Sequence, residues 1–139
     1  MTVDAFDGIQ IKTIQNVAFM MEHNFGADTK YRSFYPKYIE KTSDKMLEIA
    51  LEIHAQAKFA NSINPENMEQ YEIRVEAQKK ARALVYSLEG QYHAVLAILK
   101  VDDNKFTDHI KHLKHQSNCI KSWIEKDKEI YKKRKWWKS

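Results

Sequence analysis

The stretch PKYIEKTSDKMLEIALEIHAQAKFA, residues 36–60, decides the fold class. Its core-type side chains recur at alternating steps of three and four residues, which places them on one face of an α-helix. Proline at position 36 suits the first helical turn, where its missing N–H has no partner in any case. The predicted stripe consists of Ile39, Thr42, Met46, Ile49, Ile53, Ala57 and Ala60. The stretch therefore predicts a long helix with one buried face.

The same spacing predicts a helix before this stretch and another after it. The earlier helix covers about residues 9–25 and ends at Gly26, because glycine accepts a left-handed C-cap without penalty. A polar and aromatic connection, residues 27–35, leads to Pro36. In the later helix, Asn64 is the expected N-cap and Pro65 the expected first residue.

A fourth helix is predicted to begin near Phe106 and to reach Tyr131, with Asp102 or Asp103 as the expected cap. Short connections between long helices favour antiparallel neighbours. None of the four apolar stripes can be buried alone, but together they can enclose one core. We therefore expect an all-α fold: an antiparallel up-and-down four-helix bundle over residues 1–130, followed by a basic aromatic C-terminal tail, residues 131–139.

Composition agrees with this expectation. The 139 residues include only three glycines and two prolines, too few for a sheet with several hairpins. Cys119 is the single cysteine, so an intrachain disulfide is excluded and a packed thiol is expected. The longest apolar run is far shorter than a membrane span, and the acidic start, MTVDAFD, is unlike a signal peptide. We expect a cytoplasmic protein that makes no use of a membrane.

Catalytic signatures are missing from the sequence. Three isolated glycines cannot form a phosphate-binding loop, and no recognisable nucleophile motif surrounds a serine or the cysteine. No arginine is followed within a few residues by histidine, as HEPN-type ribonucleases require. The stretch HIKHLKH, residues 109–115, is better interpreted as surface or interfacial histidines than as a metal site, although a metal-dependent bundle enzyme stays open as a minor hypothesis. We predict a protein that is not an enzyme and that needs no cofactor or metal.

Positive charge gathers at the C-terminal end. The net charge is +4, but residues 126–139 alone carry seven cations and two anions. The run YKKRKWWK, residues 131–138, combines phosphate-neutralising cations with rings that stack on unpaired bases at about 1–3 kcal/mol each. A soluble tail, a protein contact and an anionic membrane surface are the alternatives. A second cationic group lies on the third predicted helix. The predicted nucleic-acid-binding residues are Arg74, Lys79, Lys80, Arg82, Lys132, Lys133, Arg134, Lys135, Trp136 and Trp137.

Three segments carry a resemblance to a known family: YPK at 35–37, the apolar spacing through LAI at 96–98, and NCIKSWI at 118–124. Their order resembles the accessory variability determinant proteins of diversity-generating retroelements and the related four-helix proteins encoded within ribosomal-RNA intervening sequences. The resemblance extends from Phe34 to Glu125, about two-thirds of the chain. Family members carry two arginines, four residues apart, where this chain has Glu89 and His93.

The resemblance implies a small basic bundle that forms a ring, typically a pentamer, and helps a reverse transcriptase engage its template RNA. We therefore expect a non-enzymatic RNA-binding accessory protein of a retroelement, with RNA, a reverse transcriptase and further copies of itself as partners. The second hypothesis is a protein–protein adaptor or oligomeric scaffold without nucleic-acid binding. Its contact surface would include exposed rings such as Phe34, Tyr35 and Tyr38.

Overall fold

The computed structural model describes residues 3–138, and the side chains of all of these except Val3, Asp4 and Asp103. Within that range the chain is helical and contains no β-strand, which confirms the all-α prediction. Two single 3-10 turns, Asn24–Gly26 and Asp103–Phe106, separate longer elements. The α-helices are α1 (Val3–Glu22), α2 (Thr29–Phe34), α3 (Pro36–Ser62), α4 (Met68–Ile98) and α5 (Thr107–Tyr131).

The four long helices pack around one hydrophobic core. Ile53, Leu88, Leu113 and Ile120, one or two from each of the three C-terminal helices, are almost completely inaccessible to water. Burial of each such side chain stabilises the fold by about 1.5–3 kcal/mol. Helix α3 contacts α4 and α1, and α5 contacts α4 and α1, so each long helix covers part of the apolar face of two others.

The connection between α1 and α3 differs from its prediction. Helix α1 ends at Glu22, and the chain then turns through three residues with positive φ, Asn24 (49°), Phe25 (56°) and Gly26 (71°). Glycine at 26 was expected for this conformation, but a bulky residue rarely adopts it. Phe25 is completely buried, so packing of its ring holds the unusual backbone in place. The six-residue α2, within the connection, was not predicted.

Pro36 begins α3 as predicted, whereas the predicted start of α4 at Pro65 is wrong. Helix α4 begins at Met68, and Asn67 is its cap: its Oδ1 accepts a hydrogen bond from the backbone N–H of Gln70 at 2.9 Å. The Gln70 side chain in turn accepts from the backbone N–H of Glu66 at 2.7 Å. This pair of bonds resembles a capping box, with the residue before the cap as the second donor, and it outweighs the Asn-Pro signal three residues earlier.

Asp102, one of the two predicted caps of the fourth helix, instead caps the 3-10 turn before it, and the N-cap residue of α5 itself is Phe106. The Oδ1 of Asp102 accepts a hydrogen bond from the backbone N–H of Asn104 at 3.0 Å. Contacts between α4 and α5 then occur in opposite order along the two helices: Tyr71 meets Tyr131, whereas Tyr92 meets His109. This register sets which side chains of α4 and α5 meet at the site described next.

Candidate nucleic-acid interface

Arg74 lies inside the bundle and not on its surface. It is 7% exposed, and its guanidinium forms a two-point contact with Asp127, which is 4% exposed. Nε donates to one carboxylate oxygen at 2.6 Å and Nη2 to the other at 3.2 Å. Nη1 donates to the backbone carbonyls of Ala60 (3.2 Å) and Ile63 (2.8 Å), where α3 ends. Gln78 completes the cluster by donating to the same carboxylate at 2.7 Å.

The prediction that Arg74 contacts phosphate is therefore corrected. Four of its five guanidinium N–H groups donate to acceptors within the bundle, and the group is too deeply buried to reach a solvent-side anion. A buried charge that loses its partner destabilises a protein by about 3–5 kcal/mol. Arg74 joins α3, α4 and α5, and its role is structural. We call Arg74, Gln78 and Asp127 the buried ionic cluster.

Two of the predicted cations meet in an open groove between α4 and α5. Lys79, Arg82 and the exposed Tyr86 follow one another at helical spacing on α4, and Lys121 faces them from α5. The groove has a volume of about 480 Å³. We call this surface, defined by Lys79, Arg82, Tyr86 and Lys121, the α4–α5 groove. One acidic side chain, Glu125, also lines it, so cations exceed anions by two.

Arg82 is held in position within the α4–α5 groove. Its Nε donates a hydrogen bond to the Ser117 hydroxyl of α5 at 3.2 Å. Its guanidinium carbon lies 5.3 Å from the centre of the Tyr86 ring, within the range of a cation–π contact. The Tyr86 side chain is 53% exposed, so much of the ring remains open to solvent. A fixed guanidinium beside an open aromatic ring can bind a phosphate and stack a base at the same place.

Further exposed lysines extend the positive charge along α5. Lys114, Lys121 and Lys128 are seven residues apart, which is nearly two helical turns, and therefore share one face. Lys114 lies 4.0 Å from Glu89, so part of its charge is balanced. The face continues past the end of α5 to Lys132 and the tail.

Lys80 lies apart from this surface. It lines a second groove, between α3 and α4, together with Lys79 and three acidic side chains, those of Glu69, Glu72 and Glu76. Acidic neighbours repel phosphate. The structure therefore does not bring Lys80 to the α4–α5 groove with Lys79 and Arg82.

The predicted tail is folded against the end of the bundle as far as residue 138. Backbone hydrogen bonds continue beyond α5, from Arg134 N–H to the Tyr131 carbonyl and from Trp137 N–H to the Arg134 carbonyl. The Trp137 ring packs 4.8 Å from that of Tyr71, and the Trp136 ring lies 6.1 Å from that of Tyr131. Burial, with a smaller contribution from Asp127, raises the pKa of Tyr71.

The two tryptophans are therefore half-buried parts of the fold that pack on the bundle's own tyrosines, and their predicted stacking on bases stays a prediction. The four predicted tail cations, Lys132, Lys133, Arg134 and Lys135, are exposed. Arg134 lies over the Tyr131 ring at 5.8 Å. The tail therefore offers exposed positive charge beside two half-buried rings, and one of its cations, Lys132, pairs with Glu129 at 2.8 Å.

The three histidines of α5 have separate environments. His112 donates its Nε2 hydrogen to the Ile9 carbonyl at 2.8 Å, and Nδ1 of His109 lies 3.3 Å from the Tyr92 hydroxyl. Desolvation lowers the pKa of both imidazoles. His115 is exposed, with its Nε2 3.6 Å from the Cys119 sulfur, and burial raises the pKa of that thiol. Among the residues with described side chains, no three His, Cys, Asp or Glu groups are arranged to hold a metal ion.

Sequence reasoning missed Tyr86, Lys121 and Asp127. Asp127 offered a signal, since it falls on the stripe that passes from Ile120 through Ile124 to Tyr131, where a charged residue needs a buried partner. Tyr86 and Lys121 have no such signal, because each is unremarkable until the register of α4 and α5 is known.

Comparison of the chain with family models, curated proteins and solved structures finds no match. None of the helices within residues 3–138 is long and apolar enough to cross a membrane. The function therefore has to be inferred from the geometry of the chain itself.

Proposed function

We propose that this protein is a non-enzymatic RNA-binding accessory protein that contacts phosphates through the α4–α5 groove and the exposed tail cations. One observation carries the proposal: Lys79, Arg82 and Lys121 converge from two helices around an exposed tyrosine ring. Such a combination of cations and an open ring is typical of surfaces that bind single-stranded nucleic acid.

The electrostatics of the surface favour a polyanion over a single small anion. The groove holds only two excess positive charges, which are weak in water when taken alone. The lysines along α5 and the four tail cations extend the surface well beyond the groove. A strand of RNA can neutralise many of these cations at once, and the release of its counterions then supplies the binding free energy.

The partners follow from the resemblance described above. We propose an antiparallel order for all four long helices, which the opposite order of the α4–α5 contacts supports. From the resemblance we propose that the bundle assembles with copies of itself, as the family does in a pentamer, and assists the reverse transcriptase of a diversity-generating retroelement. The proposed location is the cytoplasm, as expected from the sequence.

A protein–protein adaptor is the second candidate, and exposed apolar side chains favour it. Phe34 and Tyr35 of the α2–α3 corner are 60% and 42% exposed, and Tyr38 next to them is half-buried. Phe59 and Ile73 are also exposed, and both line the groove between α3 and α4. These surfaces suit a protein partner, and the groove between α3 and α4 adjoins the α4–α5 groove at Lys79.

Fluorescence anisotropy with a labelled 30-nucleotide single-stranded RNA tests the proposal. We expect affinity to fall steeply between 50 and 300 mM salt, with a slope of about −0.7 for each phosphate neutralised. The triple variant Lys79→Gln, Arg82→Gln, Lys121→Gln should weaken binding and flatten the slope by about two units.

The matched control is the triple variant Lys37→Gln, Lys41→Gln, Lys45→Gln, which removes the same charge from the exposed face of α3. Equal losses in the two triple variants, or a salt-independent affinity, would exclude a dedicated surface. The adaptor alternative predicts no RNA binding and an assembly whose native mass is unchanged when the four tail cations are replaced by glutamine.

A further inference from the structure

A cavity distinct from both grooves lies between α1, α3 and α5, on the opposite side of α5 from the α4–α5 groove. Its volume is about 490 Å³, within the range of about 300–1,000 Å³ that is usual for small-molecule sites. Most of its lining surface is apolar, although eight of the twelve residues that line it are polar or charged. Nothing in the proposed RNA surface uses this cavity.

Gln10 lines the cavity and provides the main evidence for a ligand. Its side chain is 1% exposed, and neither its carboxamide oxygen nor its nitrogen has a hydrogen-bond partner in the described part of the chain. Buried amides are almost always paired, since an unpaired donor or acceptor loses its hydration without replacement. A buried amide with both groups free, beside a cavity, takes its partner from outside the chain, either as ordered water or as a bound molecule.

The other walls define what that partner looks like. Phe6 of α1 and Trp123 of α5 line the cavity with their rings 4.9 Å apart. Two more carboxamides, those of Asn61 and Asn118, also line it. An amide offers one acceptor and two donors side by side, and aromatic walls favour flat rings. Together they suit a planar heterocycle with neighbouring donor and acceptor groups, which is the chemistry of a nucleobase edge.

The charges of the cavity point to an anionic substituent. Lys58 pairs with Asp7 at 2.7 Å, and His54 lies 3.5 Å from the same carboxylate, so these groups balance one another. Lys126, also in the lining, forms no ion pair with any side chain that the structure describes. Lys126 therefore leaves one positive charge at the cavity, suited to a single phosphate.

We infer that this cavity binds a nucleoside monophosphate, with the base hydrogen-bonded to Gln10 and the phosphate near Lys126. A free nucleotide and the 5′-terminal nucleotide of an RNA strand share this chemistry. The site is independent of the α4–α5 groove, because no residue lines both.

Isothermal titration of the full chain with AMP, GMP, CMP and UMP in turn tests the inference. At least one nucleotide should bind with a Kd below about 1 mM, the weak end of specific association. Gln10→Leu should weaken that nucleotide at least tenfold and raise the Tm of the unliganded protein, because an unpaired buried amide is replaced by an apolar group of similar size.

Gln116→Leu is the matched control, because Gln116 is equally buried and lies outside the cavity. Its Oε1 accepts a hydrogen bond from the Thr13 hydroxyl at 2.6 Å, whereas its nitrogen has no partner in the described part of the chain, so this variant should raise Tm less than Gln10→Leu does, or lower it, and leave nucleotide affinity unchanged. Lys126→Gln should weaken the monophosphate about fivefold and leave the corresponding nucleoside unaffected.

Failure of all four nucleotides to bind would overturn the inference, as would unchanged affinity or a lowered Tm in Gln10→Leu. A 5′-phosphorylated trinucleotide that binds as tightly as the mononucleotide supports the site and assigns it to RNA ends, whereas weaker binding supports it and assigns it to free nucleotide. The triple groove variant should retain nucleotide binding, which separates failure of this site from failure of the RNA surface.

Discussion

Arg74 and Arg82 lie eight residues apart on α4, and both were predicted to contact phosphate, but they have opposite environments. Arg74 belongs to the buried ionic cluster, where Asp127 and two backbone carbonyls take up its donors. Arg82 belongs to the α4–α5 groove, where it meets a hydroxyl and an aromatic ring and forms no ion pair with the carboxylates that the structure describes. The first is fully committed to the fold, and the second keeps its charge available.

This difference shows that the position of a cation around the helix axis decides its role. Tyr71, Arg74, Gln78 and Ala81 follow one another in steps of three and four, and all four are buried. Arg82 follows directly after Ala81 and is rotated by about 100° toward the edge of this stripe. A charge inside needs a partner because desolvation is costly, whereas a charge at the edge remains hydrated and can exchange water for phosphate.

The largest effect is expected from breaking the buried ionic cluster. Arg74→Met leaves the Asp127 carboxylate buried without its strongest partner, so the free energy of unfolding should fall by about 3–5 kcal/mol. Urea unfolding followed by circular dichroism measures this loss. Arg82→Met, the same substitution in the groove, should change stability by less than about 1 kcal/mol.

The double variant Arg74→Met, Asp127→Leu provides the control for this comparison. It removes both charges together, so it should recover much of the stability lost in Arg74→Met. If the double variant is as unstable as the sum of the two single variants, Arg74 and Asp127 do not act as a pair and the comparison with Arg82 fails.

The fold was largely predictable because it depends on apolar spacing, which is written in the sequence. The stripes of the three C-terminal helices placed Ile53, Leu88 and Ile120 inside, and they are inside. The exact helix starts were less predictable: Pro65 was a plausible first residue, but the hydrogen bonds of the Asn67 cap decided the start of α4. Local competition of this kind is settled by a few hydrogen bonds.

The candidate site was predictable only in part, because it depends on register. Lys79 and Arg82 were named from charge alone, and the structure brings them together. Arg74 was named with them, although its position on the stripe of Tyr71 and Gln78 indicated burial. Tyr86 and Lys121 could not have been chosen, since only the way α4 packs on α5 makes them neighbours.

A second effect on stability is expected where the tail covers the buried ionic cluster. Arg74 lies under the Tyr131 ring at 5.8 Å, and Tyr131 and Tyr71 are in turn covered by the tryptophans. Trp137→Ala removes the ring nearest Tyr71, so the free energy of unfolding should fall by about 1–2 kcal/mol through lost burial and one aromatic pair. Thermal unfolding measures this change.

Trp136→Ala is the natural comparison, because its ring lies farther from Tyr71, at 6.5 Å, than that of Trp137, at 4.8 Å. A smaller loss is expected for it. If instead Trp137→Ala leaves stability unchanged and reduces RNA affinity, the ring stacks on bases and not on the bundle, as the sequence predicts.

A moderate effect on binding is expected from the groove. Arg82→Gln removes one phosphate contact, so the slope of log affinity against log salt should decrease in magnitude by about 0.7, and affinity near 150 mM salt should fall several-fold. Anisotropy titrations at four salt concentrations measure both quantities. Arg82→Lys should restore the charge but not the stacking on Tyr86, so it should recover the slope more fully than the affinity.

The smallest effect is expected on the pH dependence of stability, where protonation of a half-buried histidine adds a charge inside the fold. Desolvation lowers the pKa of His112 below its ordinary value of 6.5, with nearby Lys12 and His115 adding to the effect and the Ile9 carbonyl opposing it. The folded protein therefore binds this proton less readily than the unfolded chain does. The associated stability is complete above about pH 6.5 and is lost as pH falls through the lower, folded-state pKa.

Urea midpoints measured from pH 7.5 to pH 5 should therefore decrease toward acid, and the decrease should be shallower in His112→Gln. His109 shares the lowered pKa, so His109→Gln should also flatten the profile. His93, which is exposed beside Glu89, is the matched control, and His93→Gln should retain the steeper wild-type decline. An equally steep profile in all three variants would show that half-buried histidines tolerate charge as exposed ones do, and it would weaken the distinction between inner and outer cations drawn from Arg74 and Arg82.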